Sequence, residues 1–307
     1  MQDIMGVNDI AFPNLGLYLK NVPQGFSIFG FYISLYGVII AAGVIAGISI
    51  VAHLAKKTGQ NPDDYWDFAI YGVLFGLVGA RIYYVAFEWD SYKNNLLQIF
   101  HVRGGGLAIY GGVIAAFITL FVWCRIKKKD PRVIGDTAMA GLLLGQIIGR
   151  WGNFTNREVF GEYTDSLLAM RIPLEAVRDR SDITENIAAH ITGDANYIQV
   201  HPTFLYESGL NLLLLVVILL YFCHKKFRGE ICLMYLGGYG IIRFFVEGIR
   251  TDRLKLAGTD IAVSQLLGII LFLTALAADF AIRILIRHKE KRVNSGGNGG
   301  AAEIEKP

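Results

Sequence analysis

Gly149-Arg150-Trp151-Gly152-Asn153-Phe154-Thr155-Asn156-Arg157-Glu158-Val159-Phe160-Gly161 is the stretch that decides how the chain is read. It closes an apolar run, Thr137 to Ile148, that would be at home in lipid. It then sets two arginines, two asparagines, a glutamate and three glycines close together. Holding an ionised arginine at membrane depth costs roughly 2.5–3.5 kcal/mol on an insertion scale. Polar residues this dense at a hydrophobic boundary therefore point to a site. The plainer alternative is an interfacial cap whose arginines snorkel to the surface.

The composition around that stretch is that of a membrane protein. Of 307 residues, 53% are hydrophobic and only 18% charged, with mean hydropathy +0.43, against about 25% charged in soluble domains. A formal net charge of +3 gives no argument for nucleic acid. Cys124, Cys223 and Cys232 lack metal-ligand spacing, so neither a zinc site nor a disulfide framework is expected. No basic segment precedes the first apolar run, so no cleavable leader is expected. Residues 1–27 read as an interfacial arm.

Apolar segments near 28–54, 67–88, 107–126, 136–152, 203–223, 230–249 and 260–286 are read as crossing a core that needs about 20 helical residues. The expected fold is thus an all-α polytopic membrane protein of about seven transmembrane helices, its membrane domain spanning 28–287. Lys56-Lys57, Arg125 to Arg132, Lys225 to Arg228 and Arg287 to Arg292 all fall on one side. By the positive-inside rule that side is cytoplasmic, with the N-terminus outside and the C-terminus inside. The 154–202 insert is then a small extracytoplasmic head lobe of turns and short elements. Residues 288–307 read as a basic and then disordered cytoplasmic tail.

Orientation assigns a depth to each polar residue. Tyr36, Arg81, Gly104-Gly105-Gly106, Tyr110-Gly111-Gly112, Arg150 and Asn153 all belong to outer halves. So do the block opened by His201 and the series Tyr239, Arg243, Glu247 and Arg250. That series is spaced four, four and three apart, along one helical face. Arg81 is equally read as a snorkelling residue, and Arg243 with Glu247 as a structural ion pair. His201 reads as a helix start, the glycine pairs as close helix packing, and Tyr36 and Tyr110 as interfacial aromatics. Asp67 and Asp136 read as structural helix N-terminal residues.

Charge gathered in one leaflet favours an enzyme acting on a lipid or an exported substrate. The rival is an outward-facing anion or lipid transporter, which calls for polar groups continuing to the midplane; the inner halves lack them. A structural scaffold has no need of stacked arginines in lipid. The Gly-x-Ser-Gly of a rhomboid-like protease and the aspartate-rich helix of a CDP-alcohol transferase are both missing from the sequence.

Four blocks in order resemble the prolipoprotein diacylglyceryl transferase family. They are Gly105 to Gly112; Gly149-Arg150-x-Gly-Asn153 through Asn156, Glu158 and Gly161; His201-Pro202-Thr203-x-Leu205-Tyr206-Glu207; and Tyr239-x-x-x-Arg243 through Glu247, Arg250 and Asp252. Ser34 to Gly37 also fits, and the likeness covers roughly 27–285. The resemblance implies a seven-helix enzyme of the bacterial cytoplasmic membrane, with its active site toward the outer leaflet. It would move the sn-1,2-diacylglyceryl group of phosphatidylglycerol to the lipobox cysteine of an exported prolipoprotein, releasing glycerol 1-phosphate. No cofactor and no metal are expected, and a monomer is.

A thiolate attacking carbon while a phosphate leaves needs cations on the phosphate and a route for the thiol proton. Arg150 and Arg243 are the candidates for the headgroup and leaving phosphate, because a guanidinium fork grips phosphate oxygens in two places; Arg250 comes behind them. Asn153 would donate to phosphate or glycerol hydroxyls. Glu158 and Glu247 would hold the arginines, Tyr36 and Tyr239 would place the headgroup, and Gly161 belongs to the same block. The position before Gly111 is histidine in well-known members, where it is taken as the general base. Here it is Tyr110, whose phenol, with pKa about 10, is a poor base at neutral pH. Tyr110 therefore stands as a catalytic candidate whose role is open, with His201 a weak substitute.

Overall fold

The apolar runs become helices because, in lipid, every backbone N–H and C=O must be satisfied within its own segment. The computed structural model describes residues 4–101, 105–256 and 258–296, with side chains described as far as Lys291. Arg103, Gly104 and the expected tail beyond 296 lie outside the described residues. Its long helices are α1 (Leu35–Lys57), α2 (Pro62–Phe87), α4 (Ile109–Lys127), α5 (Pro131–Asn156), α7 (Thr203–Tyr221), α8 (Glu230–Ile249) and α9 (Val263–Gly296); α3 (Trp89–Tyr92) and α6 (Glu185–Ala189) are short.

All the long helices except α5 are apolar enough to cross a membrane by themselves. The chain is therefore a polytopic helical membrane protein. α5 has 26 residues, about 39 Å at 1.5 Å per residue. Gln146, Arg150, Asn153 and Asn156, the polar residues that make it interesting, lower its hydropathy.

The contacts divide the chain into two units, Met1–Gly47 with Leu142–Pro307, and Ile48–Gly141. In the first, β1 (Ile10–Phe12), β2 (Leu17–Leu19), β5 (Met170–Pro173) and β6 (Tyr197–Val200) form a sheet in the order β2-β1-β5-β6. All its pairings are antiparallel, with Ile10 opposite Leu19, Ala11 opposite Arg171 and Met170 opposite Val200. Ile10, Phe12, Phe160, Met170, Ile172, Ile198, Val200 and Phe204 make its core. Part of the stretch expected as an arm is thus an inner strand of the lobe that 154–202 completes.

β3 (Gly25–Ile28) and β4 (Phe31–Ser34) form a separate hairpin. Its turn residues Phe29 and Gly30 have φ of 49° and 81°, the left-handed pair that a tight hairpin turn requires. The first span consequently begins at Leu35, not at the expected 28. Phe29 is 97% exposed at the tip.

In the second unit Gly79 and Gly111 let α2 and α4 touch. A Cβ on Gly79 would lie 2.7 Å from the Gly111 carbonyl oxygen, so packing is what Gly111 serves. Arg81 neither snorkels nor reaches for a ligand. Its Nε donates to Ile99 O at 2.7 Å, Nη1 to Gly105 and Gly106 O, and Nη2 to Gln98 and His101 O. These bonds use all five N–H groups to pin the loop before α4. Asp67 is not a cap either: Asn61 caps α2, and Asp67 ties α2 to Lys127 at 2.8 Å and Trp123 at 3.2 Å.

In the first unit, α8 and α9 cross with Gly240 against Gly268. A Cβ on either glycine would sit 2.5 Å from the other's carbonyl oxygen, and small residues are what let membrane helices approach this closely. Gly240→Ala should therefore lower the thermal unfolding temperature of the detergent-solubilised protein by several degrees. An unchanged transition would contradict this account of the crossing.

Candidate active site

Four elements bring the site together within the first unit. The last turns of α5 carry Arg150 and Asn153, the turn after it carries Glu158, the second turn of α7 carries Glu207, and the C-terminal half of α8 carries Tyr239, Arg243 and Glu247. The hub is Glu207, 1% exposed. Its Oε1 accepts Arg150 Nη2 at 2.6 Å and the Tyr239 hydroxyl at 3.3 Å, and its Oε2 accepts Arg243 Nη1 at 3.2 Å. A single buried carboxylate thus spans two guanidinium groups from different helices.

From this hub a chain of polar contacts runs both ways. Arg150 Nη1 reaches Asn153 Oδ1 at 3.4 Å, and Asn153 Nδ2 donates to Glu158 Oε1 at 3.0 Å. Glu158 also accepts from Asn156 at 3.3 Å and from Arg178 at 2.7 Å. In the other direction, Arg243 Nη2 meets Glu247 at 2.5 Å, and Glu247 lies 3.5 Å from Arg250. Arg250 is spent: its Nε and Nη2 grip Asp252 at 2.9 and 2.7 Å. Arg150 and Arg243 keep N–H donors beyond these contacts, since a guanidinium has five.

Tyr36 opens α1 against Gly152, where a Cβ would lie 2.7 Å from the ring, and it feels the charges of Glu158, Arg150 and Arg178. Gly161 is a close-approach point. A Cβ there would meet Ile249 O at 2.7 Å and His201 Cβ at 2.9 Å, and its backbone bridges Arg250. Tyr110 is the second residue of α4, in the other unit.

Glu158 and Glu247 are both expected from the sequence to hold the arginines. Glu247 does so for Arg243 and Arg250, whereas Glu158 holds Asn153, Asn156 and Arg178. Glu207 closes the His201 block and is not among the residues the sequence singles out. Its signal was an acidic group one turn inside an apolar helix.

Beside Glu158 a cleft of about 640 Å³ is lined by Val159, Arg178, Asp179, Asp182, Thr251 and Asp252, among others. Burial, with Asp252 and Asp179 nearby, raises the Asp182 carboxyl above its ordinary range. A surplus of carboxylates makes this cleft a poor place for phosphate. Half-burial lowers the His201 imidazole below its ordinary value. It contacts the Tyr206 hydroxyl at 3.1 Å.

The sequence model for prolipoprotein diacylglyceryl transferases matches residues 23–280. The chain belongs to that family. A relative from Finegoldia magna is 41% identical over 88% of this chain and 97% of its own length. One from Clostridioides difficile is 39% identical over 80% and 90%, and one from Staphylococcus xylosus 42% over 78% and 81%. Each is named a phosphatidylglycerol–prolipoprotein diacylglyceryl transferase. The family match spans every residue of the arginine–carboxylate chain.

Removing one partner of a buried ion pair costs about 3–5 kcal/mol, because the other charge is left unpaired. Glu207→Gln should therefore lower the transfer rate by about a hundredfold or more in a vesicle assay with a lipobox peptide. A rate within threefold of wild type would show that the bridge does not organise the site.

Proposed function

We propose that this chain transfers the sn-1,2-diacylglyceryl group from phosphatidylglycerol to the lipobox cysteine of an exported prolipoprotein. The observation that carries the reading is the convergence of Arg150 and Arg243 on Glu207, in a family whose relatives are named for this lipid and this acceptor. The loop charges support a bacterial plasma-membrane protein of seven spans, with the lobe and this site toward the outer leaflet. It works as a monomer.

In the reaction the cysteine sulfur forms a bond to the glycerol carbon that carries the phosphate ester. That carbon–oxygen bond breaks, and its electron pair and oxygen leave as glycerol 1-phosphate. The thiol proton passes to a base and finally to the departing phosphate or to water. Negative charge therefore grows on the phosphate as the bond opens. Donors placed beforehand stabilise that charge without reorganising. Arg150 and Arg243 supply them through the N–H groups that Glu207 and Glu247 leave unused, and a charge-assisted fork is the strongest donor set a protein offers to phosphate.

Asn153, oriented by Glu158, donates to the phosphate or glycerol hydroxyls. Tyr36 and Tyr239 place the headgroup. Glu247 keeps Arg243 in line, while Arg250 and Gly161 hold the surrounding backbone. Tyr110 keeps its place as a catalytic candidate through the resemblance, at the position where well-known members carry histidine.

Incubating the protein with phosphatidylglycerol vesicles and a cysteine-bearing lipobox peptide should yield a peptide heavier by one diacylglyceryl group in mass spectrometry. Arg150→Ala and Arg243→Ala should each abolish that product; full activity in both would remove the phosphate clamp. Tyr110→His should retain activity and Tyr110→Ala lose most of it, and an unaffected alanine variant would show that this position does no chemistry.

A further inference from the structure

Arg157 sits beside Glu158 and is buried more completely than any arginine of the ion-pair chain, at 1% exposed. It makes no ion pair among the described residues. The carboxylate whose charge it feels most, Asp9, is already engaged by the Gly6 and Asn21 amides and the Tyr18 hydroxyl. The guanidinium bonds to carbonyls instead. Nη1 donates to Thr155 O at 2.9 Å, and Nη2 to Asn8 O at 2.7 Å and Val22 O at 2.5 Å.

The backbone there is also unusual. Arg157 and Val159 have φ of 54° and 58°, a left-handed conformation that a β-branched residue rarely adopts and that is held only when its surroundings over-determine it. Glu158 is suspended between these two residues.

Asn8 and Val22 flank the β1–β2 hairpin. Two residues past Val22, Gln24 O accepts Leu35 N at 2.9 Å, and the next residue, Tyr36, lies on Gly152. One guanidinium therefore ties the backbone that delivers Tyr36 to the turn that delivers Glu158. Being buried, it does not itself touch substrate.

We propose that Arg157 is a positioning residue for the lipid headgroup: by clamping the Asn8 and Val22 carbonyls to the 155–159 turn, it fixes the spacing between Tyr36 and the Asn153–Glu158 pair. The inference rests on the assignment of that pair and Tyr36 to phosphatidylglycerol. Lysine keeps the charge but has one donor nitrogen, so it cannot hold Thr155 O from one nitrogen and the Asn8 and Val22 carbonyls from a second as the guanidinium does. Glycine suits the left-handed backbone but removes the clamp.

The test uses the full chain in detergent and two readouts: binding of short-chain phosphatidylglycerol followed by tryptophan fluorescence, and transfer kinetics with each substrate varied in turn. Arg157→Gly should weaken lipid binding and raise the lipid KM by about tenfold, while the peptide KM stays within twofold; Arg157→Lys should fall between Gly and wild type. Should the glycine variant not fold, the lysine variant decides. Unchanged lipid binding in the folded variants, or equal rises in both KM values, would overturn the proposal. A wild-type protein that binds the lipid but transfers nothing would instead overturn the proposed reaction, and lipid binding by the variants would still decide the role of Arg157.

Discussion

Two guanidinium groups share one buried carboxylate, and the rest of the site depends on that contact. Arg150 and Arg243 carry like charges on different helices; left to themselves they would repel and turn toward water. Glu207, placed between them and nearly inaccessible, makes their approach favourable. Salt bridges of this kind add little net stability, because desolvating the charges offsets their attraction. They do fix geometry. Here the geometry is a pair of forks with donors to spare, in a unit where Asn153 and Glu247 extend the alignment on either side.

The scaffold keeps those helices where the contact needs them by a second physical device, close backbone approach. Gly240 and Gly268 join α8 to α9, and Gly152 admits the Tyr36 ring. Gly161 lets the turn after α5 reach the segments around His201 and Ile249. At the far end of α8, Glu230 binds Arg283 of α9 and the Tyr221 hydroxyl. In the second unit the same logic recurs with Gly79 and Gly111. There Arg81 ties together the Gln98, Ile99 and Gly106 carbonyls ahead of α4.

Much of this was legible from residue types alone. A membrane span shows in composition because lipid tolerates little else, and the helix-spaced series from Tyr239 to Glu247 shows a polar face because periodicity survives tertiary packing; Arg250, expected on the same face, lies just past the end of α8 in extended backbone. What was not legible depends on distant partners. Glu207 gives a weak local signal, since a single acid near a helix start is ambiguous. Its importance comes from two residues 57 and 36 positions away. Residues 28–34 of the hairpin read as span because their apolar side chains match either environment, and only the left-handed turn at Phe29 and Gly30 separates the two. β1 reads as surface arm because one of its two partner strands, β5, lies some 160 residues downstream. Arg157 fills an unspecified position of the signature, and only burial reveals its clamp.

If Arg150 and Arg243 work as one device on Glu207, their contributions cannot be independent. The most direct test is a double-mutant cycle on transfer from phosphatidylglycerol to a lipobox peptide, comparing Arg150→Lys, Arg243→Lys and the double variant by kcat/KM. The account predicts that the double variant loses scarcely more than the worse single one. Losses that multiply, each variant acting as though the other arginine were intact, would contradict it.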